Sequence, residues 1–333
     1  MDQTLLLMIF IVAAALIFDL INGFHDTANA IATSVSTRAL KPRQAILMAA
    51  CMNFLGAVSF TGVAKTITKG IVDPIALPKG EVVILAALIS SIIWNLVTWY
   101  VGIPSSSSHA LIGSIAGAAI ASAGVNAIHY AGFIKIIVGL VLSPVIAFVT
   151  GFIVYTIIKT LFKNLNLSKA NNRFRLFQIL TAALQSFTHG TNDAQKAMGI
   201  ITMALMANGY QQGSEVQHWV QFACATAMAI GTSIGGWRII KTVGGKIMKI
   251  KPVSGVAADI SSVIVIFTAT LFHLPVSTTH VISSAIMGVG TSHRKRGVKW
   301  DTGQRMIITW IITLPISVML SALIFTLLNI VIP

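Results

Sequence analysis

Apolar runs of about 20 residues, the length a helix needs to cross roughly 30 Å of hydrocarbon, recur from Leu5 to Val331. A chain built this way is expected to be an all-α integral membrane protein that crosses the bilayer many times. Its balance of side chains agrees. Of the 333 residues 55% are apolar and 10% charged, against about 25% charged in a soluble domain. The excess of 23 Lys and Arg over 9 Asp and Glu, +14, lies in a few short loops. It therefore points to membrane topology and not to a nucleic-acid partner. Cys51 and Cys224 sit alone in apolar runs, without the spacing of a disulfide framework or a zinc site. The first run has no basic residue before it and no small-residue cleavage site after a short core, so it is read as a retained membrane helix rather than a signal peptide.

The sequence repeats itself. Gly23-Phe24-His25-Asp26-Thr27-Ala28-Asn29-Ala30 returns as Gly190-Thr191-Asn192-Asp193-Ala194-Gln195-Lys196-Ala197, and Pro104-Ser105-Ser106-Ser107-Ser108-His109 as Pro275-Val276-Ser277-Thr278-Thr279-His280. Shorter matches fall between them in the same order, such as Ile89-Ser90-Ser91 with Ile260-Ser261-Ser262. The chain divides into repeat one, residues 1–162, a polar cytoplasmic linker, 163–175, and repeat two, 176–333.

Each repeat holds about five apolar stretches. An odd number makes the second repeat enter from the opposite side, so loop charge should invert between halves, and it does. The loop with Arg38, Lys41 and Arg43 matches 207–218, which has no Lys or Arg; the stretch 124–131, also without them, matches Arg294-Lys295-Arg296-Gly297-Val298-Lys299. Basic loops stay in the cytoplasm, which places both termini outside the cell and the linker inside. The first stretch of each repeat, about 30 residues long, carries Gly23 or Gly190 beside polar residues near its middle. The expectation is a discontinuous helix or a re-entrant hairpin there, in an inverted-repeat fold of 10–12 helices.

A carboxylate at the centre of a membrane helix costs about 2.5–3.5 kcal/mol, so the duplicated Asp26 and Asp193 should be paired, protonated or bound to a cation. Asn22, His25, Thr188 and Asn192 stand beside them as candidates for completing a cation shell. Capping of a half-helix is the plainer alternative for each Asp, and a hydrogen-bonded helix residue the alternative for Asp19. Ser106, Ser107 and Ser108, with Ser277, Thr278 and Thr279, each follow a proline and open a Gly- and Ala-rich helix. Free N–H groups and hydroxyls at such a start hold an anion without a buried Arg, although two simple N-caps would leave the same trace. His109 and His280 are either proton carriers or packed residues. Lys196 either touches an anion or pairs internally, for instance with Asp193. No hydrolase motif is present, and no enzymatic activity is expected.

These residues resemble the inorganic phosphate transporter (PiT) family. The duplicated signature carries the likeness, with Asn192-Asp193-Ala194-Gln195-Lys196 in the bacterial form, together with the Pro-x-Ser-x-Thr-His run intact at Pro275 to His280. The resemblance implies inverted repeats, two re-entrant hairpins, homodimers in the plasma membrane, and symport of phosphate with Na⁺ or H⁺, with no other cofactor. It assigns Asp26, Asn192 and Asp193 to the cation, as metal ligands if that cation is Na⁺, and the six hydroxyl residues to the anion. Ser105 to Ser108 is a degenerate copy of the second motif. Asn53 stands where sodium-coupled eukaryotic members carry an acidic residue, which leans the coupling towards H⁺. Sulfate permeases of the same family and a passive anion channel are the alternatives. Importing a doubly charged phosphate against −100 mV costs roughly 4.6 kcal/mol, twice the ~2.3 kcal/mol per charge. Import therefore needs a cotransported cation, or passage as a metal-phosphate complex with a proton.

Overall fold

The computed structural model describes residues 3–73, 75–163, 167–294 and 297–332; Lys295 and Arg296, two of the loop bases counted above, lie outside them. The described chain is helical, without a strand. The helices are α1 (Gln3–Ser36), α2 (Pro42–Ala57), α3 (Gly62–Gly70), α4 (Gly80–Val101), α5 (Ser107–Ala123), α6 (Tyr130–Leu161), α7 (Leu167–Ala207), α8 (His218–Ile234), α9 (Trp237–Lys241), α10 (Pro252–Leu271), α11 (Thr278–His293) and α12 (Trp300–Val331). A π-helical turn, Thr242–Lys246, continues α9.

Polarity is inside out. Val141, Val145 and Val149 of α6 and Ile308, Ile311 and Met319 of α12 are exposed, while Asp19, Asp26, Asp193 and Asp259 are buried. Lipid solvates the first set and would reject the second. This is a multi-pass membrane protein. Five helices, α1, α4, α6, α10 and α12, are long and apolar enough to cross a bilayer, and α2 with α3, bent by 67°, would make a sixth. That is fewer than the ten crossings expected. Helices α5, α8 and α11 have 16–17 residues, about 25 Å at 1.5 Å per residue, and fall short of a full span. Of the stretch expected to be a linker, residues 167–175 already belong to α7.

The break expected at Gly23 and Gly190 is absent: α1 and α7 run through both glycines. Close approach explains these residues instead. A Cβ at Gly23 would overlap the Met228 carbonyl of α8, and one at Gly231 the Leu20 carbonyl of α1. In the same way Gly190 meets the Asn53 carbonyl of α2, and Gly56 the Phe187 carbonyl of α7. The true interruptions lie between α4 and α5 and between α10 and α11. Gly102 (φ 74°) and His273 (φ 56°) take left-handed conformations there. Each ends its helix with the same pair of bonds, Gly102 N–H to Trp99 O and Ile103 N–H to Thr98 O, matched by His273 N–H to Thr270 O and Leu274 N–H to Ala269 O. Pro104 and Pro275 then lead into α5 and α11. Helix pairing crosses between the halves: α1 packs on α8 as α7 does on α2, and α5 on α12 as α11 does on α6.

Along α1, residues up to Phe18 join one apolar core with α3, α4, α5 and α7, and residues from Ala28 join a second with α10 and α11. The polar residues Asp19, Asn22, His25 and Asp26 lie between them.

Candidate functional site

The two hairpin tips meet the middles of α1 and α7. Ser106 and Ser277 are N-caps whose hydroxyls accept from the N–H of His109 and His280 at 3.1 and 3.3 Å. Both therefore cap the first turn of their helix. The next two residues of each helix have N–H groups with no acceptor inside the helix, and three of their four hydroxyls turn to the carboxylates. Ser107 donates to Asp26 Oδ2 at 2.8 Å, and Thr278 to Asp193 Oδ2 at 2.9 Å. Thr279 donates to Asp26 Oδ1 at 2.7 Å and accepts from Asn29 at 2.8 Å. Ser108 donates across to the Val276 carbonyl, 2.9 Å away, tying tip to tip. All six hydroxyl residues are at most 1% exposed.

Cationic and imidazole groups complete the cluster. Lys196, 1% exposed, sets Nζ 2.7 Å from Asp193 Oδ1 and 3.4 Å from the Ser107 hydroxyl, so it bridges the halves and pairs internally. His25 Nδ1 lies 2.8 Å from Asp26 Oδ1, and its Nε2 is 3.3 Å from the Thr98 hydroxyl. His189 Nε2 lies 3.3 Å from Asp193 Oδ2. Ligand atoms of Asp26, His189 and Asp193 fall within 4.8 Å of one another, so the two aspartates converge.

Other expected members stand apart. Asn192 donates to Thr270 and the Leu274 carbonyl at 3.1 and 3.2 Å and accepts from Val276 N–H at 3.2 Å. It pins the second tip and does not face the carboxylates. Thr188 bonds back to the Gln185 carbonyl. Asn22 and Asp19, a turn apart on α1, are fully buried, and neither finds a partner outside that pair among the described residues. The His109 and His280 rings pack at 4.7 Å between centroids, and His280 stacks on Trp310 at 4.0 Å.

Motif reading misses two residues of the cluster, His189 and Asn29, and a buried carboxylate apart from it, Asp259. His189 occupies the place of Asn22 in the repeat, a signal that was available. Asn29 is the counterpart of Lys196. Asp259 of α10 accepts from Thr33 of α1 and Thr181 of α7 at 2.7 and 2.9 Å, and its repeat partner is Leu88, so duplication gave no hint of it.

Residues 22–321 match the sequence model of the phosphate transporter family. The chain belongs to that family. It is 68% identical over 332 residues to a probable low-affinity inorganic phosphate transporter of Bacillus subtilis (strain 168), covering 99% of this chain and all of the relative. A Rhizobium meliloti (strain 1021) protein of the same description is 45% identical, with 97% of each chain covered. Among solved structures, one described as the sodium-dependent phosphate transporter superposes with a TM-score of 0.87 at 25% identity, over 98% of this chain and all of that one.

Proposed function

We propose that this member of the phosphate transporter family imports inorganic phosphate across the plasma membrane by cation symport, with its two repeats inverted, both termini outside and a homodimer as the working unit. The observation that carries the reading is that the hydroxyls suited to an anion are bonded to the carboxylates suited to a cation. Ser107, Thr278 and Thr279 each have one proton to donate. Donated to phosphate, that proton is withdrawn from Asp26 or Asp193, and a buried carboxylate left without it needs a new positive partner. Anion and cation are thereby favoured together, as symport requires.

Protons suit the site better than Na⁺. Imidazoles lie beside both carboxylates, and Lys196 already holds Asp193, whereas a hard cation takes oxygen ligands. Sodium coupling is the second reading, favoured by the convergence of two carboxylates and by the description of the superposed structure. A divalent metal travelling with phosphate would find carboxylates and His189 in the same place.

Uptake of labelled phosphate into proteoliposomes tests the proposal. Accumulation driven by an imposed pH gradient is expected, and by a Na⁺ gradient on the second reading. Flux that merely follows the phosphate gradient under both conditions would instead indicate a passive anion channel.

A further inference from the structure

A second polar constellation lies away from the transport site. A cavity of about 380 Å³ opens between the end of α6, the first turns of α7 and the segment leading into α10. Lys159, Lys163, Lys249 and Lys251 line it, and among the described residues no Asp or Glu does. Tyr155 and His293, 2.6 Å apart at Oη and Nδ1, complete its polar wall.

Beside it runs an apolar cavity of about 390 Å³ lined by Phe177, Val256 and Ile260, with Arg173 as the one charged residue among the described ones. The two share Ile158, Phe162 and Phe174, whose two phenyl rings meet edge to face at 5.3 Å. Four ammonium groups around one cavity repel each other unless an anion sits among them, and the residues lining it supply none. A soluble anion would use the basic cavity alone. The adjoining groove, with Phe177 46% exposed, fits an apolar chain attached to that anion.

We propose that this double cavity binds an anionic phospholipid, with the phosphate diester among the lysines and an acyl chain against Phe162, Phe174 and Phe177. Basic pockets between membrane helices hold such headgroups through the same charge complementarity. The orientation proposed above puts the lipid in the cytoplasmic leaflet; the binding itself does not depend on that orientation.

Native mass spectrometry of the purified full chain, given equal phosphatidylglycerol and phosphatidylcholine with matched acyl chains, tests it. Wild type should retain phosphatidylglycerol preferentially. The double variant K249Q/K251Q should lose about ten-fold or more in phosphatidylglycerol affinity with phosphatidylcholine unchanged, and Phe177→Ser should weaken both. Lys41→Gln, an exposed lysine elsewhere, should change neither, and melting temperatures should match. Excess inorganic phosphate should displace nothing. Equal retention of the two lipids, indifference to K249Q/K251Q, or displacement by inorganic phosphate would each overturn the proposal. The measurement uses no gradient and no transport, so its outcome is separate from that of the uptake assay.

Discussion

Asp193 is held by Lys196, His189 and Thr278, and Asp26 by His25, Ser107 and Thr279. Asp26→Asn and Asp193→Asn keep the shape but remove the charge that a cotransported cation would neutralise. Each should abolish gradient-driven uptake while membrane expression is preserved; near-normal accumulation by either variant would return that residue to a capping role. Lys196→Met leaves Asp193 buried without its strongest partner. Breaking such a pair costs about 3–5 kcal/mol, so the variant should melt well below wild type. Adding Asp193→Asn should restore much of the stability and none of the uptake. Duplication made both aspartates and all six hydroxyl residues legible in the sequence. It failed for Asp259, whose counterpart is Leu88, and it misplaced Asn192, whose amide is drawn to the backbone of the second tip. Sequence spacing shows which residues share a helix, not which way an amide turns once a hairpin packs against it.

At the scale of elements, the length of α1 and α7 and the polar residues at their middles were evident, but the glycines were taken as breaks. A glycine in a membrane helix serves a kink or a close contact equally well, and only the neighbouring helix decides. Here α8 and α2 lie against Gly23 and Gly190, with backbone carbonyls in the path of any Cβ. Gly190→Val should therefore lower stability by about 1–3 kcal/mol, measured as thermal or denaturant unfolding in detergent. Gly213→Ala, with open space around it, should be nearly neutral. A small effect at Gly190 would mean that α2 and α7 are further apart than described. The hairpins are a converse case. Their longer arms, α4 and α10, look like crossings by length, and the left-handed turns at Gly102 and His273 that reverse the chain leave only a proline-serine trace.

For the whole molecule, the inverted loop charges predict an orientation. In a background lacking Cys51 and Cys224, single cysteines at Asn126 and Gln212, both exposed, should react with an impermeant thiol reagent from outside, and one at Asn172 should be protected in intact cells. The opposite pattern would reverse the topology. Substrate choice should follow protonation. Phosphate near neutral pH keeps a P–O–H that needs an acceptor such as Asp26 or Asp193, whereas sulfate has none and would leave a buried acceptor unpaired. Excess arsenate should then compete strongly with phosphate uptake and sulfate weakly, and the reverse order would indicate a sulfate carrier. The central claim is that anion and cation each replace one side of the same hydroxyl-carboxylate bonds, the anion taking the hydroxyls and the cation the carboxylates, and so bind together. Phosphate titration of the purified protein, repeated across pH and Na⁺ concentration with allowance for phosphate's own ionisation, measures that linkage directly. Affinity should rise with the coupling cation, and by reciprocity phosphate should raise cation affinity by the same factor, with the effect lost in Asp193→Asn. Phosphate affinity independent of both cations would contradict the account.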